Sequence, residues 1–230
     1  MTLPLGPGTV ELADCIAEIR CSTVSNGDFH IEAPRAALRH RRLAFAPGVW
    51  TQLDEVHGTD VVVVGTPGEH DFAVGDAIVT RARGAVLAVW VGDCAPVVFA
   101  GLDGSIGAAH AGWRGARDGV LAATVSAMGR QAAPPQAWLG PCIHPCCYEF
   151  GADDLEVVRQ RFGPEVTGVT SWGTPALDMP AVVRLALAEV GVHLTDVSQC
   201  TGCHPDRYFS HRRRAQLGRQ VMTICTRARA

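Results

Sequence analysis

The apolar residues of this chain fall into short runs closed off by Gly, Pro or Asp, and that pattern constrains its fold more than any other feature. Seven runs are strand-length: Val61–Val64, Asp76–Thr80, Val86–Val91, Pro96–Ala100, Ile106–His110, Ala137–Leu139 and Gln220–Ile224. The longest unbroken one, Ala85–Val91, is far too short to cross a bilayer, which takes about 20 apolar residues in a helix. Helical signals are fewer. Asp118–Arg130 carries Val120, Leu121, Val125 and Met128 at helical spacing. Asp153–Phe162 has acidic residues in its first turn, and Pro180–Val190 has Pro at its start, Asp178 as a nearby cap and Gly191 as a stop. Strands outnumber helices and do not alternate with them strictly, which predicts an α+β chain rather than a doubly wound parallel sheet. The soft segments Pro47-Gly48, Gly65–Glu69 and Ala132–Gln136 are too short to be flexible linkers, so residues 1–230 are expected to form one domain.

Composition excludes several function classes. No lysine occurs, and all 20 residues counted as Lys or Arg are arginine. Schiff-base chemistry, pyridoxal phosphate enzymes and the Gly-Lys-Ser/Thr phosphate loop are thereby ruled out. The formal charge of −3 gives no global attraction to nucleic acid or to a membrane surface. Met1–Val10 shows no basic run followed by an apolar core, so no export signal is expected and the chain is read as cytoplasmic. Its nine cysteines are then core residues, metal ligands or reactive groups rather than a disulfide framework.

Three segments carry the chemistry: Val56-His57-Gly58-Thr59-Asp60, Gly92-Asp93-Cys94-Ala95-Pro96, and His110-Ala111-Gly112-Trp113-Arg114-Gly115. Each sets one soft or borderline ligand beside Gly or Pro and next to a strand-like run. Two imidazoles and a thiolate make a three-ligand zinc set with a fourth position free for water or substrate. The distant spacing leaves other readings open. His57 and His110 also read as ordinary hydrogen-bonded histidines over a core thiol, or Cys94 as a nucleophile with His110 as its base. Arg114 suits an anion near such a metal, or a surface position over Trp113. Asp93 suits a proton carrier or a partner for a ligating histidine.

Two further cysteine strings stand out. Cys142-Ile143-His144-Pro145-Cys146-Cys147 invites a second metal, but its prolines and adjacent cysteines strain local tetrahedral ligation and favour a shaped loop lining the pocket. Cys200-Thr201-Gly202-Cys203-His204 matches the haem c attachment string, with a zinc or redox role as the other reading. Basic clusters at Arg39–Arg42 and His211–Arg214, the latter with Arg219 and behind the aromatic Tyr208-Phe209, read as solvated faces or as a phosphate-binding edge.

Taken together, Val56-His57-Gly58, Asp76–Thr80, Asp93–Pro96, His110–Gly115, Gly140-Pro141 with Cys146–Glu149, and Phe209–Arg213 with Gly218-Arg219 resemble the laccase-domain family, once described as multicopper polyphenol oxidases. The resemblance runs from about residue 50 to about residue 225. It implies an α+β sandwich of β-sheets flanked by helices, in α/β/β/α layers. It implies one zinc ion per chain on His57, Cys94 and His110, and phosphorolysis of adenosine, inosine, guanosine or 5′-methylthioadenosine, with adenosine deamination alongside. Cys94, His110, Asp93 and Arg114 are the expected catalytic groups, and Arg42, Arg114 and Arg212 the expected phosphate-binding ones. Expected partners are a purine nucleoside and phosphate, without nucleic acid or membrane, in a monomer or small homo-oligomer. Copper-dependent phenol oxidation is the alternative, although none of the nine histidines forms the His-x-His pair that multicopper centres use. A metal-free cysteine hydrolase using Cys94 and a non-enzymatic metal-binding partner protein complete the range. The chain departs from the family at Glu55, where Gln is usual, at Cys21–Gly27, where a glycine-rich stretch is usual, and at His144, where glycine is common.

Overall fold

A computed structural model describes residues 8–129 and 131–229. Most of Met1–Val10, over which no export signal was expected, lies outside the described residues. Thirteen strands form in chain order: β1 (Gly8–Glu11), β2 (Cys15–Cys21), β3 (Val49–Gln52), β4 (Val61–Val64), β5 (Ala77–Thr80), β6 (Ala85–Val91), β7 (Ala95–Ala100), β8 (Ile106–Ala111), β9 (Gln136–Leu139), β10 (Thr167–Val169), β11 (Pro175–Leu177), β12 (Leu194–Asp196) and β13 (Gln220–Ala228). The helices are α1 (Arg35–Phe45), α2 (Trp113–Asp118), α3 (Val120–Ala127), α4 (Ala152–Phe162), α5 (Met179–Glu189) and the single turn α6 (His211–Arg214).

The strands make a five-stranded sheet, β1-β2-β13-β6-β3, and a six-stranded sheet, β12-β9-β7-β8-β5-β4. Strands β10 and β11 pair separately. Neighbours run antiparallel except β3 with β6, β4 with β5, and β12 with β9. Successive side chains of a strand point to opposite faces, and in the central strands β6, β7 and β8 both faces are covered. In β6, Val86 and Ala88 pack with Leu38 of α1 and with Trp50, while Leu87 and Val89 face the other sheet. In β7, Val98 meets the five-stranded sheet, while Val97 and Phe99 pack under α3 and α5, against Leu121, Val182 and Leu187. The layers are therefore helix, sheet, sheet, helix, and each fully buried Leu, Ile, Val or Phe contributes about 1.5–3 kcal/mol of apolar burial. Among the described residues no helix is long and apolar enough to cross a membrane.

All seven expected strand runs form, with ends shifted by a few residues at most. Among the described residues the structure adds six strands and the helices α1, α2 and α6 to those expected from sequence. Strand β2 alternates buried Ala17 and Ile19 with half-exposed Glu18 and Arg20, so no continuous apolar run marks it. Helix α1 contains the Arg39–Arg42 cluster and buries only Leu38 and Arg42. The helix expected over 118–130 forms as α3, over Val120–Ala127, and begins only after Gly119, whose left-handed φ of 104° closes the short α2 ahead of it; Arg130 lies outside the described residues. Asp178 caps α5 as expected, accepting a hydrogen bond from the Ala181 N–H at 2.9 Å.

Candidate functional site

His57, Cys94 and His110 come from three different structural settings and converge. His110 follows Ile106 and Ala108 on the face of β8 turned toward the other sheet, and is buried. Cys94 sits in the Gly92-Asp93-Cys94 crossover that carries the chain from β6 in one sheet to β7 in the other. His57 lies on the exposed loop between β3 and β4, with a left-handed φ of 64°. One ligand atom from each lies within 4.8 Å of the others. Cys94 Sγ is 3.6 Å from His57 Nε2, and the two imidazole rings meet edge-on at 4.8 Å.

Asp76, at the start of β5, holds both histidines. Its carboxylate accepts from the backbone N–H groups of His57 at 2.8 Å and Gly58 at 2.7 Å, fixing the strained turn. The same carboxylate lies 2.9 Å from His110 Nδ1. An ionised carboxylate only accepts, so Nδ1 carries a proton and Nε2 is the nitrogen that can give up its own to a ligand. Burial would raise the Asp76 pKa, but the hydrogen bonds from His110, Gly58 and His57 outweigh it and hold the carboxyl below its ordinary value. The glycines of the His110–Gly115 segment have a steric reason. A Cβ on Gly112 would overlap the His57 ring, and one on Gly115 would lie 2.6 Å from the Gly58 carbonyl oxygen. The loop bearing His57 can lie on the start of α2 only because both positions lack side chains.

Glu55 completes the electrostatics. Its side chain is 3% exposed, accepts from the Trp90 N–H at 2.9 Å and lies 3.7 Å from His110 Nδ1. Burial pushes its carboxyl up to about 8, against the opposing pull of His110. Burial would raise the Cys94 thiol as well, yet the neighbouring His110 and His57 bring it down to about 6, into the range of reactive or metal-binding thiolates. His110 moves well above its ordinary value, because the charges of Glu55 and Cys94 outweigh its desolvation. A soft thiolate, two imidazoles with one tautomer fixed by a carboxylate, and an exposed side at His57 make a donor set that fits a single borderline metal ion with an open position.

The trio lines one wall of a cavity of about 320 Å³, within the roughly 300–1,000 Å³ usual for small-molecule sites. Trp90, Tyr148, His211, Arg212 and Arg219 line it too. The Trp90 indole N–H donates to the Leu53 carbonyl at 2.8 Å, which fixes the ring. Gly92 lets the Arg219 side chain lie close beside it: a Cβ there would sit 2.9 Å from Arg219 Cδ.

Of the other expected site residues, Arg212 reaches the cavity and Arg42 and Arg114 do not. Arg42 is buried in α1, where its guanidinium donates to Gln52 and to Asp71 at 2.8 Å. Arg114 is exposed with its guanidinium 4.3 Å over the Trp113 ring, which is the surface reading of that residue. Asp93 lines the cavity, but its carboxylate accepts from Thr201 Oγ1 at 2.6 Å and from the Arg212 N–H at 2.7 Å. Asp76, not Asp93, is the histidine's partner. Sequence reasoning passed over Asp76, Glu55 and Trp90 as site residues. Asp76 stood in a recognised string, and Glu55 was visible as a departure from the family.

The local cysteine readings are replaced by a long-range one. His144 turns to Ser198 at 3.0 Å, and Cys142 is buried, so residues 142–147 form no site among themselves. Cys146 and Cys147 instead meet Cys200 and Cys203. The Cys-x-x-Cys-His thiols thus face other thiols, which removes the haem reading.

Residues 22–227 match the family described as multi-copper polyphenol oxidoreductase laccase. A purine nucleoside phosphorylase of Xylella fastidiosa is 37% identical over 229 residues, covering 95% of this chain and 88% of that one. The Escherichia coli purine nucleoside phosphorylase YfiH is 35% identical over 195 residues, covering 80% and 79%. The crystal structure of YlmD from Geobacillus stearothermophilus matches with a TM-score of 0.76 at 26% identity, covering 94% of this chain and 93% of that one.

Proposed function

This chain belongs to the multi-copper polyphenol oxidoreductase laccase family, and from that premise we propose that it is a zinc-dependent purine nucleoside phosphorylase. The observation that carries the reading is the convergence of His57, Cys94 and His110 on a cavity that also holds a fixed indole and an arginine rim. The names of the similar proteins from Xylella and Escherichia support the same activity. The substrates are adenosine, inosine, guanosine or 5′-methylthioadenosine with phosphate, and the products are the free base and the 1-phosphate of the sugar.

His57, Cys94 and His110 would hold the zinc ion, which when bound would supply Lewis-acid polarisation in the cavity. The rest is done by the chain. Trp90 offers an aromatic face to the purine, held in place by its bond to Leu53. Arg212, on the turn that Asp93 anchors, draws phosphate to the rim by charge-assisted hydrogen bonds. A phosphate oxygen attacks the sugar's anomeric carbon as the bond to the purine nitrogen breaks, and the base leaves with a proton. Asp76 keeps both histidines aligned throughout. Water attacking purine C6 instead, with the C6 amino group leaving as ammonia, would give the accompanying adenosine deamination.

Copper-dependent phenol oxidation is the second reading, favoured by the family description and by a His₂Cys donor set that copper also accepts. One experiment separates them. Metal-replete protein is assayed with each nucleoside with and without phosphate, and with a phenol under oxygen, alongside elemental analysis. Phosphate-dependent release of base with bound zinc supports phosphorolysis; oxygen uptake with bound copper and no base release overturns it.

A further inference from the structure

The four-cysteine cluster lies outside the cavity and has no part in the chemistry above. Two segments far apart in sequence build it. The turn at 144–147, closed by the Cys147 N–H donating to the His144 carbonyl at 2.9 Å, presents Cys146 and Cys147. The loop after the isolated bridge between Cys142 and Cys200 presents Cys200 and Cys203. All four sulfurs lie within 4.8 Å of one another. Cys146 Sγ is 3.7 Å from Cys200 Sγ and 3.5 Å from Cys203 Sγ, and Cys147 Sγ is 3.4 Å from Cys203 Sγ.

These separations discriminate between chemistries. A disulfide needs about 2.05 Å and pairs each sulfur with one other. Here Cys203 and Cys146 each approach two partners. A tetrahedral zinc with Zn–S bonds of about 2.3 Å sets its sulfurs about 3.8 Å apart, close to the spacing observed. Two more features suit thiolates around a cation. The His144 N–H points at Cys200 Sγ at 3.4 Å, a donor placed for a charged sulfur. Gly202 leaves room that a side chain would take: a Cβ there would sit 2.8 Å from Cys147 Sγ and 2.9 Å from the Arg213 side chain. Arg213 therefore packs at the edge of the cluster, a cation beside what becomes a doubly negative complex.

We propose that Cys146, Cys147, Cys200 and Cys203 bind one zinc ion as a closed, all-thiolate structural site. Loading releases the four thiol protons as four Zn–S bonds form, with no change of oxidation state. The ion ties together two segments that both reach the cavity wall. Tyr148 follows Cys147 directly. Thr201, between two of the ligands, donates to Asp93, and Arg214 grips the carbonyls of Thr201 and Gly202 from the turn that bears Arg212.

The test uses the full chain purified with reductant. A His57→Ala/His110→Ala variant isolates the thiol cluster from the cavity's metal. It is expected to hold about one zinc per chain, with X-ray absorption showing sulfur-only coordination at about 2.3 Å. Adding Cys146→Ser and Cys203→Ser is expected to remove that zinc. If the fourfold variant fails to fold, cobalt is titrated into the twofold one, where sulfur-to-metal charge-transfer bands that disappear on alkylation give the same answer. The proposal is overturned if the twofold variant folds but binds no metal, binds it through nitrogen or oxygen, or carries these cysteines as two disulfides in reductant. Each outcome is independent of whether the cavity performs phosphorolysis.

Discussion

The His57–Cys94–His110 cluster and the four-cysteine cluster share a thiol donor but differ in composition and arrangement. The first has three ligands of two types, ranging from exposed His57 to buried His110, at the wall of a cavity. Carboxylates of Asp76 and Glu55 tune it from behind. The second has four sulfurs, no carboxylate partner and two loops as its frame. Three ligands leave a position for substrate, whereas four close the ion in. The open set leans on a rigid backing, strands β5 and β8, whereas a closed set of four thiolates would itself lend rigidity to loops that have no regular structure.

The sharpest way to break this comparison is His110→Ala. Metal-assisted polarisation is worth several kcal/mol, so kcat/KM for nucleoside phosphorolysis should fall about a thousandfold, while the zinc on the thiols stays bound. Loss of both ions together, read by elemental analysis, would mean the clusters are not independent. Asp76→Asn touches only the backing of the open site. Loss of a carboxylate behind a ligating histidine typically lowers metal affinity about 10–100-fold, measurable by competition with a chelator. Unchanged affinity would show that the backing is not what holds the histidines.

Arg212 stands on the wall between the clusters. Arg212→Ala should raise the KM for phosphate by about tenfold, the value of one charge-assisted hydrogen bond, with a smaller change for the nucleoside. Glu55→Gln probes the electrostatics of the open site in chelated protein. Folding raises the carboxyl from an ordinary value of 4.5 to about 8. The folded chain thus retains a proton that the unfolded chain gives up, so the group lowers stability progressively as pH rises through that window. The amide variant should match the native Tm near pH 5 and exceed it by a few degrees near pH 8. An advantage confined to low pH would refute the burial argument. The smallest effect belongs to Arg114→Ala: stacked on Trp113 and outside the cavity, it should leave kcat/KM within about twofold, as surface changes usually do.

What could be read from sequence follows a physical rule. Strands β5 to β8 were legible because they are buried along nearly their whole length, so burial is written as a continuous apolar run, whereas the edge strand β4, with Val63 exposed, was legible from its four consecutive valines. Strand β2 and helix α1 were not, because each has one wet face and a high share of charged residues. The three candidate ligands were legible because two imidazoles and a thiol, each in a short segment with Gly or Pro at a strand end, suit one borderline ion, and the strings that carry them resemble one family.

The residues alone specify the α+β class, the central strands, and His57, Cys94 and His110 as candidate ligands among other readings; family resemblance joins the three around one ion and adds the layered sandwich. Tertiary structure decided what surrounds them: Asp76 rather than Asp93 behind the histidines, Glu55 and Trp90 in the cavity, Arg42 and Arg114 outside it. It also brought Cys146 and Cys147 to Cys200 and Cys203, across more than 50 residues of chain. Composition and spacing record which groups a chain owns. Which of them meet is set by sheet pairing and loop closure, which bring together residues that no local pattern connects.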